Sequence, residues 1–180
     1  TPDQRIPHQM EFLYLPMSAV LTATNAFDFT TGLEPHLNAA AARGNHLIIR
    51  FFLDYPGRPS GVPAWLSSQI ACNSYTEYGG GCSPDYSDPR LQSAILGFIS
   101  EFGAGYDGDS RLGFIQLGLI GFWGEWHTYP HTNYFASNTF QRQVIEAFDQ
   151  AFDDTRLLIR YPIHDSPNRD FGFHDDSFAY

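Results

Sequence analysis

Apolar residues follow two alternating rhythms along the chain. Compact, apolar-rich runs at Glu11–Leu15, Leu47–Leu53, Leu112–Ile120, Arg156–Tyr161 and Phe171–His174 read as strands, the longer ones apolar on both faces. Between them the spacing turns helical. Leu33, Leu37 and Ala40 share one face of a helix predicted over Leu33–Arg43, and Gly44 stops it. Asp88 and Pro89 open a second helix whose apolar face is Leu91, Ile95, Phe98 and Phe102. A third carries Phe140, Val144, Phe148 and Phe152, with Asn138 and Gln141 spaced as a capping box. Strand and helix alternating in this way predict an α/β fold, a parallel sheet joined by right-handed crossovers. Five predicted strands are too few to close an eight-stranded barrel.

The segment from Asp54 to Ser87 interrupts the alternation. It is rich in proline and glycine and holds both cysteines, and a loop of that length inside a compact domain commonly forms a lid or binding wall. Cys72 and Cys82, ten residues apart around the polar stretch Asn73–Gly81, are expected to close a small disulfide loop. A disulfide implies an oxidising, extracellular setting, so the chain is expected to be secreted. Trp65 is expected to pack this long loop down.

Composition narrows the function classes. A chain of 180 residues with 43% hydrophobic content buries a sizeable core as a single domain, and no apolar run reaches the length of a membrane span. All ten basic residues are Arg; against 20 acidic residues they leave a formal charge of −10, which argues against nucleic acid or an anionic membrane as partner. The polar start Thr1–Gln9 has no signal-peptide character, and the end Asp175–Tyr180 reads as cut rather than finished. Truncation at both ends is the expectation. If the chain were complete, the open sheet would expose edges and apolar faces that drive self-assembly.

The chemistry concentrates in Gly121–His127. Here an apolar strand runs into Glu125, set between Trp123 and Trp126 and followed by His127 and Tyr129. Parallel sheets keep their chemistry past the carboxyl ends of the strands, where Glu125 falls. A carboxyl beside indoles is partly desolvated, a setting that suits a general acid. Crowded aromatic rings suit the apolar faces of sugars, so Trp123, Trp126, His127 and Tyr129 are candidate substrate contacts. Arg50 and Arg160 lie in apolar strands and require carboxylate partners, since an unpaired buried guanidinium is costly. Asp54, just past the Arg50 strand, is a candidate partner or substrate contact. His174, Asp175 and Asp176 end the last strand and are candidates to bind sugar hydroxyls, with an Asx-turn as the structural alternative. The histidines are scattered without ligand spacing, so neither a metal nor a cofactor is expected.

Six segments, taken in order, resemble the DUF4832-type family of secreted glycoside hydrolases, themselves similar to (β/α)8 glycosidases. They are Phe12–Pro16, Arg50–Gly57, Tyr106–Asp109, Gly121–Pro130, Arg160–Pro162 and Gly172–Ala179. The resemblance implies a partial barrel holding about strands 2 to 6, with Glu125 after strand 4, where related barrels place their acid/base Glu. Those enzymes carry Asn immediately before that Glu, whereas this chain has Gly124. They also take their nucleophile from strand 7, which implies a second carboxylate outside this sequence. Two readings follow. One is a glycoside hydrolase using Glu125 as general acid/base; the other is a non-catalytic extracellular carbohydrate-binding or structural protein on the same scaffold.

Overall fold

The computed structural model describes residues 8–175. In chain order it contains β1 (Met10–Pro16), a hairpin of β2 (Leu21–Ala23) and β3 (Ala26–Phe27), and helices α1 (Phe29–Gly32) and α2 (Glu34–Ala42). Then come β4 (His46–Phe52), α3 (Ala64–Ser67), a second hairpin of β5 (Cys72–Tyr75) and β6 (Gly81–Pro84), and α4 (Pro89–Tyr106). The chain continues through β7 (Leu112–Gln116), α5 (Asn138–Ala151), β8 (Leu157–Ile159) and β9 (Phe171–Phe173). Five strands form one parallel sheet in the order β1-β4-β7-β8-β9. This is the α/β architecture of a partial (β/α)8 TIM barrel.

Strand register sorts the side chains into two faces. Leu15, Leu47, Ile49, Ile115 and Leu157 pack on the helix side, all buried in the core. Phe98 and Phe102 of α4 meet Phe51 edge-on, with ring centroids at 4.7 and 5.3 Å. Burying each such ring contributes roughly 1.5–3 kcal/mol. Gly103 lets α4 approach α5 closely, because a Cβ there would lie 2.2 Å from the Ala151 carbonyl oxygen. The opposite face, the one a barrel turns inward, carries Tyr14, Arg50 and Gln116.

The predicted elements shift in two places. The strand expected over Leu112–Ile120 ends at Gln116, although Leu117, Leu119 and Ile120 are fully buried. A continuous apolar run reports burial rather than conformation, and here the last residues leave the ladder for a tight loop. The N-cap of α5 is Ser137, whose hydroxyl accepts from Phe140 N–H, not Asn138. Gln141 instead donates its side-chain amide to the Ala136 carbonyl at 2.6 Å.

Candidate functional site

The loop from Leu117 to His127 is folded by backbone conformations that most residues avoid. Leu119, Gly121, Trp123, Gly124 and Trp126 all have positive φ, and such strain at non-glycine positions costs about 1–3 kcal/mol each unless the surroundings enforce it. They do enforce it. Leu119 N–H donates to Phe51 O at 2.8 Å, Trp123 N–H to Asp54 O at 2.7 Å, and Phe122 N–H to His127 O at 2.7 Å. Gly121 N–H is held by the Tyr86 hydroxyl at 2.9 Å. Gly118 is required by packing, since a Cβ there would lie 2.1 Å from Phe51 O. The product is a rigid loop that presents Glu125 on the inward face of the sheet.

Three strands meet at that carboxylate. Arg50 Nη1 donates to Glu125 Oε1 at 2.9 Å and to the Tyr14 hydroxyl at 2.9 Å. The Tyr14 hydroxyl donates to the same Oε1 at 3.5 Å. His174 Nδ1 lies 3.3 Å from Arg50 Nη2, bringing the end of β9 to the same point. On the far side of the carboxyl, His127 Nε2 is 3.7 Å from Oε2. His127 Nδ1 accepts from Tyr129 N–H at 3.3 Å, which in the neutral ring leaves the proton on Nε2, facing Glu125. Arg50 is fully buried while the Glu125 side chain is 13% exposed, so the pair opens to solvent only through the carboxylate.

The two indoles beside Glu125 in sequence have different surroundings. Trp126 turns into the core, 3% exposed, and donates its Nε1–H to Leu117 O at 2.7 Å, so it has no ring face to offer a ligand. Inside the loop its N–H has a backbone acceptor, as a buried indole requires. Trp123 instead joins an aromatic group with Tyr55 and Tyr78, at centroid distances of 6.4 and 5.1 Å, and His127 lies 6.0 Å from it. Tyr129 is 64% exposed. Sequence reading missed Tyr14, Tyr55, Tyr78 and Gln116. The strand register would have found two of them, because Tyr14 pairs with Arg50 and Gln116 lies one strand further along.

Asp54 is not the partner of Arg50. It is 3% exposed and accepts a 2.6 Å hydrogen bond from Tyr75 through Oδ1, while Oδ2 has no partner among the described residues. Burial pushes its carboxyl up to about 6, against the Tyr75 hydrogen bond that lowers it. Tyr75 ends β5 of the hairpin that the Cys72–Cys82 disulfide crosslinks, with Cα atoms 5.5 Å apart. Arg160 pairs with Asp175 and reaches toward the His174 carbonyl at 3.5 Å. Asp176 lies outside the described residues. Among those described, no group of three His, Cys, Asp or Glu side chains is arranged to hold a metal, and no helix is long and apolar enough to cross a membrane.

No protein-family model matches the chain, and no curated protein matches it in sequence. Solved structures do. Endo-glycoceramidase II from Rhodococcus sp., in complex with a cellobiose-like imidazole, superposes with a TM-score of 0.53 at 14% identity, over 96% of this chain and 46% of that one. The lactosyl-enzyme intermediate of the same enzyme gives the same values. Xylanase 10B from Thermotoga petrophila RKU-1, in complex with xylobiose, has a TM-score of 0.44 at 14% identity, over 87% of this chain and 44% of that one. The chain thus spans about half the length of endo-glycoceramidase II and shares part of its fold.

Proposed function

We propose that this chain carries the acid/base half of a glycoside hydrolase site, with Glu125 as the proton-transferring residue and a carbohydrate as substrate. The observation that supports this reading is the asymmetry of the Glu125 carboxyl. Oε1 is anchored by Arg50 and Tyr14, and Oε2 lies 3.7 Å from His127 Nε2. Anchoring one oxygen fixes the position of the other, which is what proton transfer to a glycosidic oxygen demands. In this scheme Oε2–H protonates the departing oxygen, and the resulting carboxylate then takes a proton from water. Arg50 and Tyr14 position Glu125, and His174 steadies Arg50. Trp123, Tyr55 and Tyr78 form a rim on which sugar rings stack.

Hydrolysis of this kind requires a second carboxylate. Asp175 is engaged by Arg160 and Asp54 by Tyr75, so the proposal draws the second group from outside this sequence. The DUF4832-type family is the kin it would join, and the disulfide supports an extracellular location. The test is Glu125→Gln in the protein as its natural gene encodes it, assayed on aryl glycosides. Loss of about 10²–10⁴-fold in turnover is expected for removal of a general acid/base. Unchanged turnover would refute the role.

One observation favours the non-catalytic reading. The engagement of both Asp54 and Asp175 leaves Glu125 without an evident carboxylate partner among the described residues. Sugar binding without turnover by the natural protein would establish that alternative.

A further inference from the structure

The wall that Tyr55 and Tyr78 build beside Trp123 also carries a cation. Tyr55-Pro56-Gly57-Arg58 is a tight turn: Pro56 is its second residue, Gly57 its third with φ +76°, and Arg58 N–H donates to Tyr55 O at 2.9 Å. Such a turn sets its first and last residues side by side, and the Arg58 guanidinium lies over the Tyr55 ring, with Cζ 4.1 Å from the centroid. Gly57 N–H donates to Gly80 O at 2.7 Å, which pins the turn to the disulfide-crosslinked hairpin whose tip bears Tyr78. We propose that Arg58 is a specificity determinant, and that the substrate carries an oxyanion, carboxylate or sulfate, on a sugar unit that reaches this wall. The inference rests on the reading of the Glu125 cleft as a carbohydrate site.

Charge and geometry single this residue out. Between Asp54 and Ser87, Arg58 is the only Lys, Arg or His. The carboxylates of that segment are engaged elsewhere: Asp54 with Tyr75, Glu77 with His131 at 2.8 Å, and Asp85 with Ser87 at 2.6 Å. Surface arginines such as Arg43, Arg90, Arg111 and Arg169 each pair with a carboxylate, whereas Arg58 pairs with none among the described residues. Arg142, the other described arginine without such a pair, lies on α5, away from this wall. A guanidinium resting on a ring is held in place by one face, and the N–H groups along its edge remain open to an oxyanion. The wall is within reach of a sugar chain bound at Glu125, because Tyr55 packs edge-on against Tyr14 at 5.5 Å and Tyr14 touches Glu125. A chain of formal charge −10 repels anions at large, so one exposed cation beside stacking rings selects for charge on a sugar.

The test compares matched oligosaccharides by calorimetric titration at low salt, on the protein as its natural gene encodes it. Oligomers of galacturonate, glucuronate and mannuronate are each paired with their methyl esters, and sulfated galactan and glucan oligomers with their neutral parents. Oligoglutamate serves as the anion that is not a sugar. At least one charged oligomer is expected to bind about 10–100-fold tighter than its neutral partner, the range for hydrogen bonds to a charged group. Whether that oligomer is a uronate or a sulfate identifies the oxyanion. Arg58→Gln should remove the preference and leave affinity for the neutral partner unchanged, and Arg58→Lys should restore part of it. Because Arg58 is exposed, Arg58→Gln should keep Tm within about 4 °C of the parent. A preference that survives Arg58→Gln, or oligoglutamate bound as tightly as the charged sugars, would overturn the inference. Charged and neutral oligomers bound equally by the parent would overturn it as well, while leaving the carbohydrate reading in place. Binding of no oligomer, charged or neutral, would remove the carbohydrate reading and this inference with it.

Discussion

Removing either member of the Arg50–Glu125 pair should destabilise the protein, and removing both together should restore much of the loss. At 2.9 Å, with an effective dielectric near 20, the two charges attract by about 6 kcal/mol before desolvation is subtracted. Breaking a buried pair from one side typically costs about 3–5 kcal/mol, because a buried charge is left without its partner. Each single change leaves the remaining group other contacts. Glu125→Leu leaves a fully buried guanidinium with Tyr14 and His174, and Arg50→Met leaves a carboxylate that is 13% exposed, beside Tyr14 and His127. Each single change should therefore cost about 3–4 kcal/mol. At about 2–4 °C per kcal/mol for a chain of this size, those losses lower Tm by roughly 6–16 °C. The double variant replaces the pair by apolar groups of similar bulk and should recover at least about 2 kcal/mol relative to the sum of the singles. Urea titration of all four proteins gives the coupling directly. Additivity within about 0.5 kcal/mol would refute the idea that this pair organises the site.

Three further outcomes follow from other parts of the molecule. Asp54, ordinarily near 3.8 and held at about 6 by burial, binds its proton more tightly in the folded state. Its contribution to stability is therefore fully present below about pH 4 and is lost as pH rises to about 6, at a cost of up to about 3 kcal/mol. Asp54→Asn keeps the acceptor for Tyr75 and should abolish that slope; identical urea midpoints against pH in the two proteins would contradict it. Cys72→Ser with Cys82→Ser frees a loop closed across ten residues and should cost about 2–3 kcal/mol, with faster proteolysis within the hairpin as the local readout. Gly118→Ala drives a methyl into the Phe51 carbonyl and should cost more than about 3 kcal/mol, seen as lost cooperative melting; a Tm within about 2 °C of the parent would mean that the loop yields.

Elements with strong periodicity were legible in the sequence. The face of Leu91, Ile95, Phe98 and Phe102 is the buried face of α4, and Leu33, Leu37 and Ala40 are all fully buried. Arg50 is buried by its strand, and Glu125 Oε1 lies 2.9 Å from its Nη1. Which carboxylate it finds depends on a loop closed by long-range hydrogen bonds to Asp54 O, Phe51 O and Tyr86, and no local pattern encodes those. The same loop turns Trp126 inward, where its Nε1–H donates to Leu117 O. Tyr14 escaped notice because a tyrosine in an apolar strand reads as core until the register sets it against Arg50.

The role of Glu125 is tested most directly by the leaving-group dependence of Glu125→Gln in the natural protein. A general acid matters when the departing oxygen needs a proton, and hardly at all when the leaving group is already a good one. The kcat/KM of an alkyl or 4-methylphenyl glycoside, which reports the step that expels the leaving group, should fall by about 10²–10⁴-fold, while kcat/KM of the 2,4-dinitrophenyl glycoside stays within about tenfold of the parent. Equal losses on both substrates, or no loss on either, would contradict Glu125 as the acid.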